Sequence, residues 1–165
     1  TTLLVAGLLL ALAPADPDPL RSRIRQALFA DGPLPALAPK HHSSFEPADG
    51  VVAERISYGA QYDMRIPAIL YRPKDPRGKA PALSIVNGHG GDKYSWYPVY
   101  AGIIYAKAGA FVLTYDPTGE GERNRERKSV TRAHDLVEPI PELGQRLGGL
   151  MLTDVRQAVS YLSQR

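Results

Sequence analysis

Two short runs, Ala82-Leu83-Ser84-Ile85-Val86 and Ala110-Phe111-Val112-Leu113-Thr114-Tyr115, are almost unbroken in apolar character. A half-solvated strand would alternate polar and apolar residues, so these runs suit strands covered on both faces, the usual setting of a parallel sheet. Between them, residues 98–108 suit a helix, with Pro98 in its first turn, Gly109 as a left-handed stop, and Val99, Ile103 and Ile104 supplying apolar faces. Strand, helix and strand make one βαβ unit, which crosses right-handed. This unit restricts the chain to α/β layering.

The flanking segments extend the layers. Residues 51–58 and 65–72 are β-rich runs separated by Gly59-Ala60-Gln61-Tyr62-Asp63, and Ile66, Ala68 and Leu70 alternate in the second, which predicts an antiparallel hairpin. Pro67 has no N–H to give a ladder, so its strand belongs near an edge or turns that position away from its partner, and the hairpin is expected at the sheet margin. Downstream, Leu147, Leu150, Met151, Val155, Ala158 and Leu162 form one stripe of a helix laid on the sheet. Asp154 falls inside that stripe. Its carboxylate should face the sheet and need a partner, for which Arg123 is the candidate. The expected sheet has about four strands with one central edge uncovered.

Residues 1–12 are uncharged and largely apolar, and Ala13-Pro14-Ala15 has the small-x-small pattern of a signal-peptidase site. The stretch reads as a secretory signal without its basic start, cleaved near Ala15, which implies a secreted or periplasmic protein. It is shorter than the roughly 20 residues a bilayer span needs, so no stable membrane span is expected. Residues 16–50 read as a short helix followed by a connector. Leu20, Ile24, Ala27 and Leu28 recur at helical spacing until Asp31-Gly32-Pro33, and then Pro33, Pro35, Pro39 and Pro47 occur without an apolar period. His41 and His42 are expected to be exposed loop residues, because no third ligand is placed near them for a metal. Residues 51–165 form the α/β domain part.

Composition removes several function classes. There is no cysteine, which excludes disulfides and thiol chemistry. Twenty Lys and Arg against 17 acids leave a net charge of +3. The densest basic stretch, Arg123-Asn124-Arg125-Glu126-Arg127-Lys128, contains no aromatic to stack a base, so nucleic acid is not an expected partner.

The chemistry should lie in the loops after the two buried strands, at the rim where open α/β sheets bind ligands. Glycines 88, 90 and 91 in Asn87-Gly88-His89-Gly90-Gly91-Asp92 allow a tight turn with bare N–H groups, the donors that a developing oxyanion needs. Taken alone, such a loop also suits a structural turn or a phosphate cradle. Neither a Walker lysine spacing nor a G-x-G-x-x-G fingerprint occurs, which weakens nucleotide binding.

Four segments in order, Ile66-Pro67-Ala68-Ile69-Leu70-Tyr71-Arg72-Pro73, Gly88-His89-Gly90-Gly91, Tyr115-Asp116-Pro117-Thr118-Gly119-Glu120-Gly121-Glu122-Arg123 and the helix at 154–162, resemble the α/β-hydrolase superfamily. Among its members, the likeness is to bacterial acetylxylan-esterase-like and dienelactone-hydrolase-like proteins, over residues 51–165. The resemblance implies the N-terminal portion of an α/β-hydrolase fold, in which an antiparallel hairpin leads into a parallel sheet with flanking helices. It implies a serine hydrolase acting on a small-molecule or carbohydrate ester through an acyl-enzyme, with no metal or cofactor. The Gly91 N–H, or that of Asp92 if the turn shifts, would serve the oxyanion, with His89 and Gly90 shaping the loop. A buried pair between Arg123 and Asp154 would brace the loop that begins at Asp116.

The family's triad runs serine, acid, histidine, so His89 is not expected to be the base. His134 matches a histidine that similar proteins carry ahead of this helix, and no role follows for it. No serine has glycine two residues before and two after. The nucleophile, acid and histidine are therefore expected outside this sequence, and the 165 residues alone should be inactive. Ser84, Ser95, Ser160 and Ser163 suit bland roles in strand, loop and helix. Two other readings are a prolyl-oligopeptidase-like peptidase, for which a propeller would be expected upstream of Val51, and a non-catalytic hydrolase-like binding protein.

Overall fold

The computed structural model describes residues 19–124 and 141–165. The signal-like run at 1–15, His134 and most of the basic stretch fall outside them. The described elements are α1 (Pro19–Ala27), β1 (Lys40–Ala48), β2 (Val51–Gly59), β3 (Arg65–Pro73), β4 (Ala82–Ile85), α2 (Trp96–Lys107), β5 (Phe111–Tyr115), a 3₁₀ turn (Gly121–Arg123) and α3 (Pro141–Leu162). The strands form one sheet in the order β1-β2-β3-β5-β4. Only β4 and β5 run parallel, and α2 joins them as the βαβ spacing predicts. Gly109 ends that crossover at φ +99°, the left-handed region that suits glycine.

The predicted hairpin forms, with Val51 opposite Pro73 and Gly59 opposite Arg65. It is not at the margin. β3 lies mid-sheet, paired to β5 through Ala68 to Tyr71, and β1 covers the outer edge of β2. Pro67 is accommodated because it stands at the end of the β3–β5 ladder. Its carbonyl accepts the Asp116 N–H at 3.0 Å, while the reciprocal carbonyl, Asp116 O, takes a bond from Arg123 Nη1 at 3.3 Å. The donor that proline lacks is thus replaced by a side chain.

β1 is the main departure from the expected connector. Lys-His-His-Ser-Ser-Phe-Glu-Pro-Ala has no apolar alternation and is mostly exposed, so only backbone pairing with β2 makes it a strand. His41 and His42 are therefore strand residues and not loop residues. The register slips between His41 and Ser43, leaving His42 as a bulge. β4 also departs from expectation. Its apolar sequence suggested cover on both faces, yet it ends the described sheet, with Leu83 38% and Val86 58% exposed.

Helices cover the two faces of the sheet. On one, Ile56, Tyr58, Ile66, Leu70, Leu113 and Tyr115 pack under Ala158 and Tyr161 of α3, and the rings of Tyr58 and Tyr161 stack 5.5 Å apart. On the other, Val51, Ala53, Ile69, Tyr71 and Val112 pack with Ala106 and Ala110. α2 reaches that face through Pro98, Gly102 and Ala106, and a Cβ on Gly102 would strike the Tyr71 ring. Ile104, expected on the apolar face, is exposed.

α3 is rotated from its predicted stripe. Its buried residues are Gly149, Thr153, Asp154, Gln157, Ala158 and Tyr161, while Met151 is exposed and Leu147, Leu150, Val155 and Leu162 are partly so. The face on the sheet is largely polar, and its Asp154 carboxylate and Gln157 Nε2 find partners there. Gln157 donates to the carbonyls of Pro35 and Gly59, each at 2.9 Å. No helix among the described residues is long and apolar enough to cross a membrane.

Candidate active site

The loops after β4 and β5 meet beside α3 around a cavity of about 400 Å³. Val86, Asn87, Gly88 and His89 line one side, Pro117, Thr118 and Glu120 another, and Met151, Leu152 and Val155 supply an apolar floor. Asn87 ties the strand ends together, its Nδ2 donating to Tyr115 O at 2.7 Å and Thr114 Oγ1 at 3.3 Å. This volume and its mix of apolar wall and converging polar groups suit a small organic ligand.

Within the glycine loop almost every N–H after His89 has an assigned partner. Gly90 donates to Glu120 Oε1 at 3.0 Å, Gly91 to Gly88 O at 2.9 Å, and Asp92 to Ser95 Oγ at 3.0 Å. Of the residues singled out in the sequence, His89 reaches the cavity wall, whereas Gly91 and Asp92 do not and keep their N–H groups inside the loop. Gly91 is seated so closely that a Cβ there would strike the Tyr97 hydroxyl.

Behind the loop is a buried ion cluster. Asp116 is fully buried and accepts from Lys93 N at 3.1 Å, Lys93 Nζ at 2.5 Å and Glu122 N at 2.9 Å. Lys93 Nζ also pairs with Glu122 at 2.7 Å, and this contact, against the opposing effect of burial and with help from Arg55, holds the Glu122 carboxyl below the usual range. Gly121, at φ +52°, passes against the Asp116 carboxylate where any Cβ would collide. On the cavity side Arg123 pairs with Asp154, which also accepts from Thr118 Oγ1 at 3.2 Å. Burial raises the Asp154 carboxyl above its usual range even though Arg123 and Thr118 pull the other way. Burial likewise pushes the neighbouring Tyr115 hydroxyl up.

Asp116, Arg123 and Asp154 are thus brought together around one loop. Lys93 and Glu120 do as much to hold it and were not singled out in the sequence, where each looks like an ordinary loop charge. Among the serines, Ser84 lies in β4, Ser95 precedes α2 bonded to Asp92, and Ser160 and Ser163 bond back to helix carbonyls. No group of three or more potential metal ligands occurs among the described residues.

No protein-family model and no curated protein matches the sequence. Solved structures do. A structure assigned as an acetyl xylan esterase from Bacteroides fragilis superposes on 88% of this chain with a TM-score of 0.71 and 18% identity. Acetyl Xylan Esterase 1 from a Thermoanaerobacterium species covers 86% at a TM-score of 0.63 and 19% identity. The chain has part of an α/β-hydrolase fold. A methylesterase structure covers 85% at a TM-score of 0.54 and 21% identity. The chain spans less than half the length of these structures, 42%, 44% and 31% respectively. In the α/β-hydrolase frame, the cavity lies at the carboxyl ends of β4 and β5, the expected rim.

Proposed function

We propose that the chain is the oxyanion-loop side of a secreted serine esterase that hydrolyses a carboxylic ester, acetylated carbohydrate among its candidate substrates, through an acyl-enzyme. The observation that carries this reading is the cavity bounded by the glycine loop, the 117–120 loop and α3. The likeness to solved esterase structures supports it. In this reading the serine, the acid and the histidine come from outside the 165 residues, since no G-x-S-x-G occurs in them. The serine's segment enters beside β4, and Gly91 N–H exchanges its bond to Gly88 O for one to the developing oxyanion. Catalytic hydrogen bonds often tighten only in the reacting complex, so the internal bond in the free loop is compatible with that exchange. Lys93, Asp116 and Glu120 position the loop, and Arg123 with Asp154 braces its neighbour.

The test is hydrolysis of p-nitrophenyl acetate. The 165-residue chain should not exceed the buffer rate, and the parent protein should turn over in a way that a serine-directed reagent abolishes. Serine-reagent-sensitive turnover by the 165 residues alone would overturn the assignment of the nucleophile. A parent lacking any glycine-flanked serine would overturn the esterase reading.

A further inference from the structure

A second hollow of about 230 Å³, which shares no lining residue with the candidate active site, lies against β1, β2 and β3. His42, Arg55, Ser57, Arg65, Lys93 and Glu122 supply its polar lining. We propose that it is a binding site for a small oxyanion, a carboxylate or a phosphate, held chiefly by Arg65 with Arg55 and Ser57. This proposal stands independently of the esterase reading.

The argument begins with charge. Lys93 is neutralised by Asp116 at 2.5 Å and by Glu122 at 2.7 Å, and Glu122 also faces Arg55 at 3.3 Å. Three cations therefore share two carboxylates around the hollow. Among the described residues the uncompensated charge is that of Arg65, whose bonds there go to uncharged oxygens: Nε to Ser57 Oγ at 3.0 Å, and Nη2 to Ser57 O at 2.6 Å and Ala38 O at 2.8 Å. These bonds fix the guanidinium plane and leave Nη1 uncommitted. An arginine oriented in this way, with its charge unpaired, favours an oxyanion because its fork matches the ligand's oxygens.

The surrounding residues reinforce the same chemistry. The bulge at His42 turns its ring inward, so that Nε2 lies 2.9 Å from Ser57 Oγ. The buried Nε of Arg55 finds no acceptor, so that side chain too is incompletely satisfied. The hollow is smaller than a cavity for a drug-sized molecule, which points to a small ligand or one charged group of a larger one.

The shared chemistry has two sources, a phosphate group or the carboxylate of an acidic sugar, and calorimetric titration of the full chain at low ionic strength separates them. Inorganic phosphate and glucuronate are the probes, with glucose as the uncharged control. Saturable binding of either anion, with none of glucose, is expected, and the anion that binds assigns the source. Arg65→Gln should weaken binding at least tenfold while retaining the native circular dichroism. Arg55→Gln provides the same reading if loss of the Ala38 and Ser57 bonds unfolds the first variant. Absence of binding by both anions, or unchanged affinity in a folded variant of either arginine, would overturn the proposal.

Discussion

The Arg123–Asp154 pair illustrates how a buried charge is kept for position and not for its own stability. Burial raises the Asp154 carboxyl despite its cationic partner, so desolvation outweighs the attraction. Asp154→Asn nevertheless strands the Arg123 guanidinium, whose side chain is only 7% exposed. The expected loss is about 3–5 kcal/mol in urea unfolding. The double variant Arg123→Met/Asp154→Leu should recover much of it. Equal losses in the two variants would refute the stranded-charge explanation. Glu122 behaves oppositely. Its folded carboxyl is depressed, chiefly by Lys93, so its stabilising contribution is complete above the ordinary glutamate range of about 4.3 and is lost as pH falls through the depressed value. Glu122→Gln should lower stability near neutrality, where that contribution is complete, and flatten the stability profile within the acid window, so that the two proteins converge at low pH. Asp154 was legible in the sequence because a carboxylate inside an apolar stripe needs a partner. Lys93 was not, because its burial depends on Asp116, 23 positions away and on a different strand end.

Among the elements, those with a strong apolar period were read correctly in kind, and errors arose where pairing or polar partners override the period. β2, β3, β4, α2, β5 and α3 each carry such a signal. β1 carries none, and its strand exists because β2 offers an unpaired edge. For α3 the period identified the helix but not its face, since Gln157 and Asp154 are buried through tertiary partners that no local pattern reveals. The same helix anchors the N-terminal segment. Gly149 lies against the Leu28 carbonyl with no room for a Cβ, and Arg156 and Gln157 hold Ala30 O and Pro35 O. Gly149→Val should therefore lift residues 28–37 off the helix. Hydrogen exchange should rise at Ala30 N and Gly59 N, which bond to Arg25 O and Leu37 O, and stay unchanged at the buried β3 and β5 centres, Leu70 and Leu113. Faster exchange throughout the sheet would mean that the contact supports the whole fold instead of one segment.

Across the whole molecule, the sheet is well covered at β2 and β3 and poorly covered at β4. There the four-residue strand, Val86 and the Met151 and Val159 positions of α3 leave apolar groups in solvent, with Val86 58% and Val159 54% exposed. The outer edge of β4 has no strand partner among the described residues, so its backbone groups can template another chain. Apolar surface next to an open edge favours association, because both the hydrophobic burial and the ladder bonds are then satisfied together. The 165-residue chain is accordingly expected to self-associate in a concentration-dependent way in sedimentation velocity. A charge on the exposed strand end should oppose this, since a lysine entering a paired edge would have to be desolvated. Val86→Lys should raise the monomer fraction, whereas Tyr62→Lys, at an exposed residue in the β2–β3 turn, should not. Equal effects of the two lysines would assign the association to net charge and rule out the β4 edge as its cause.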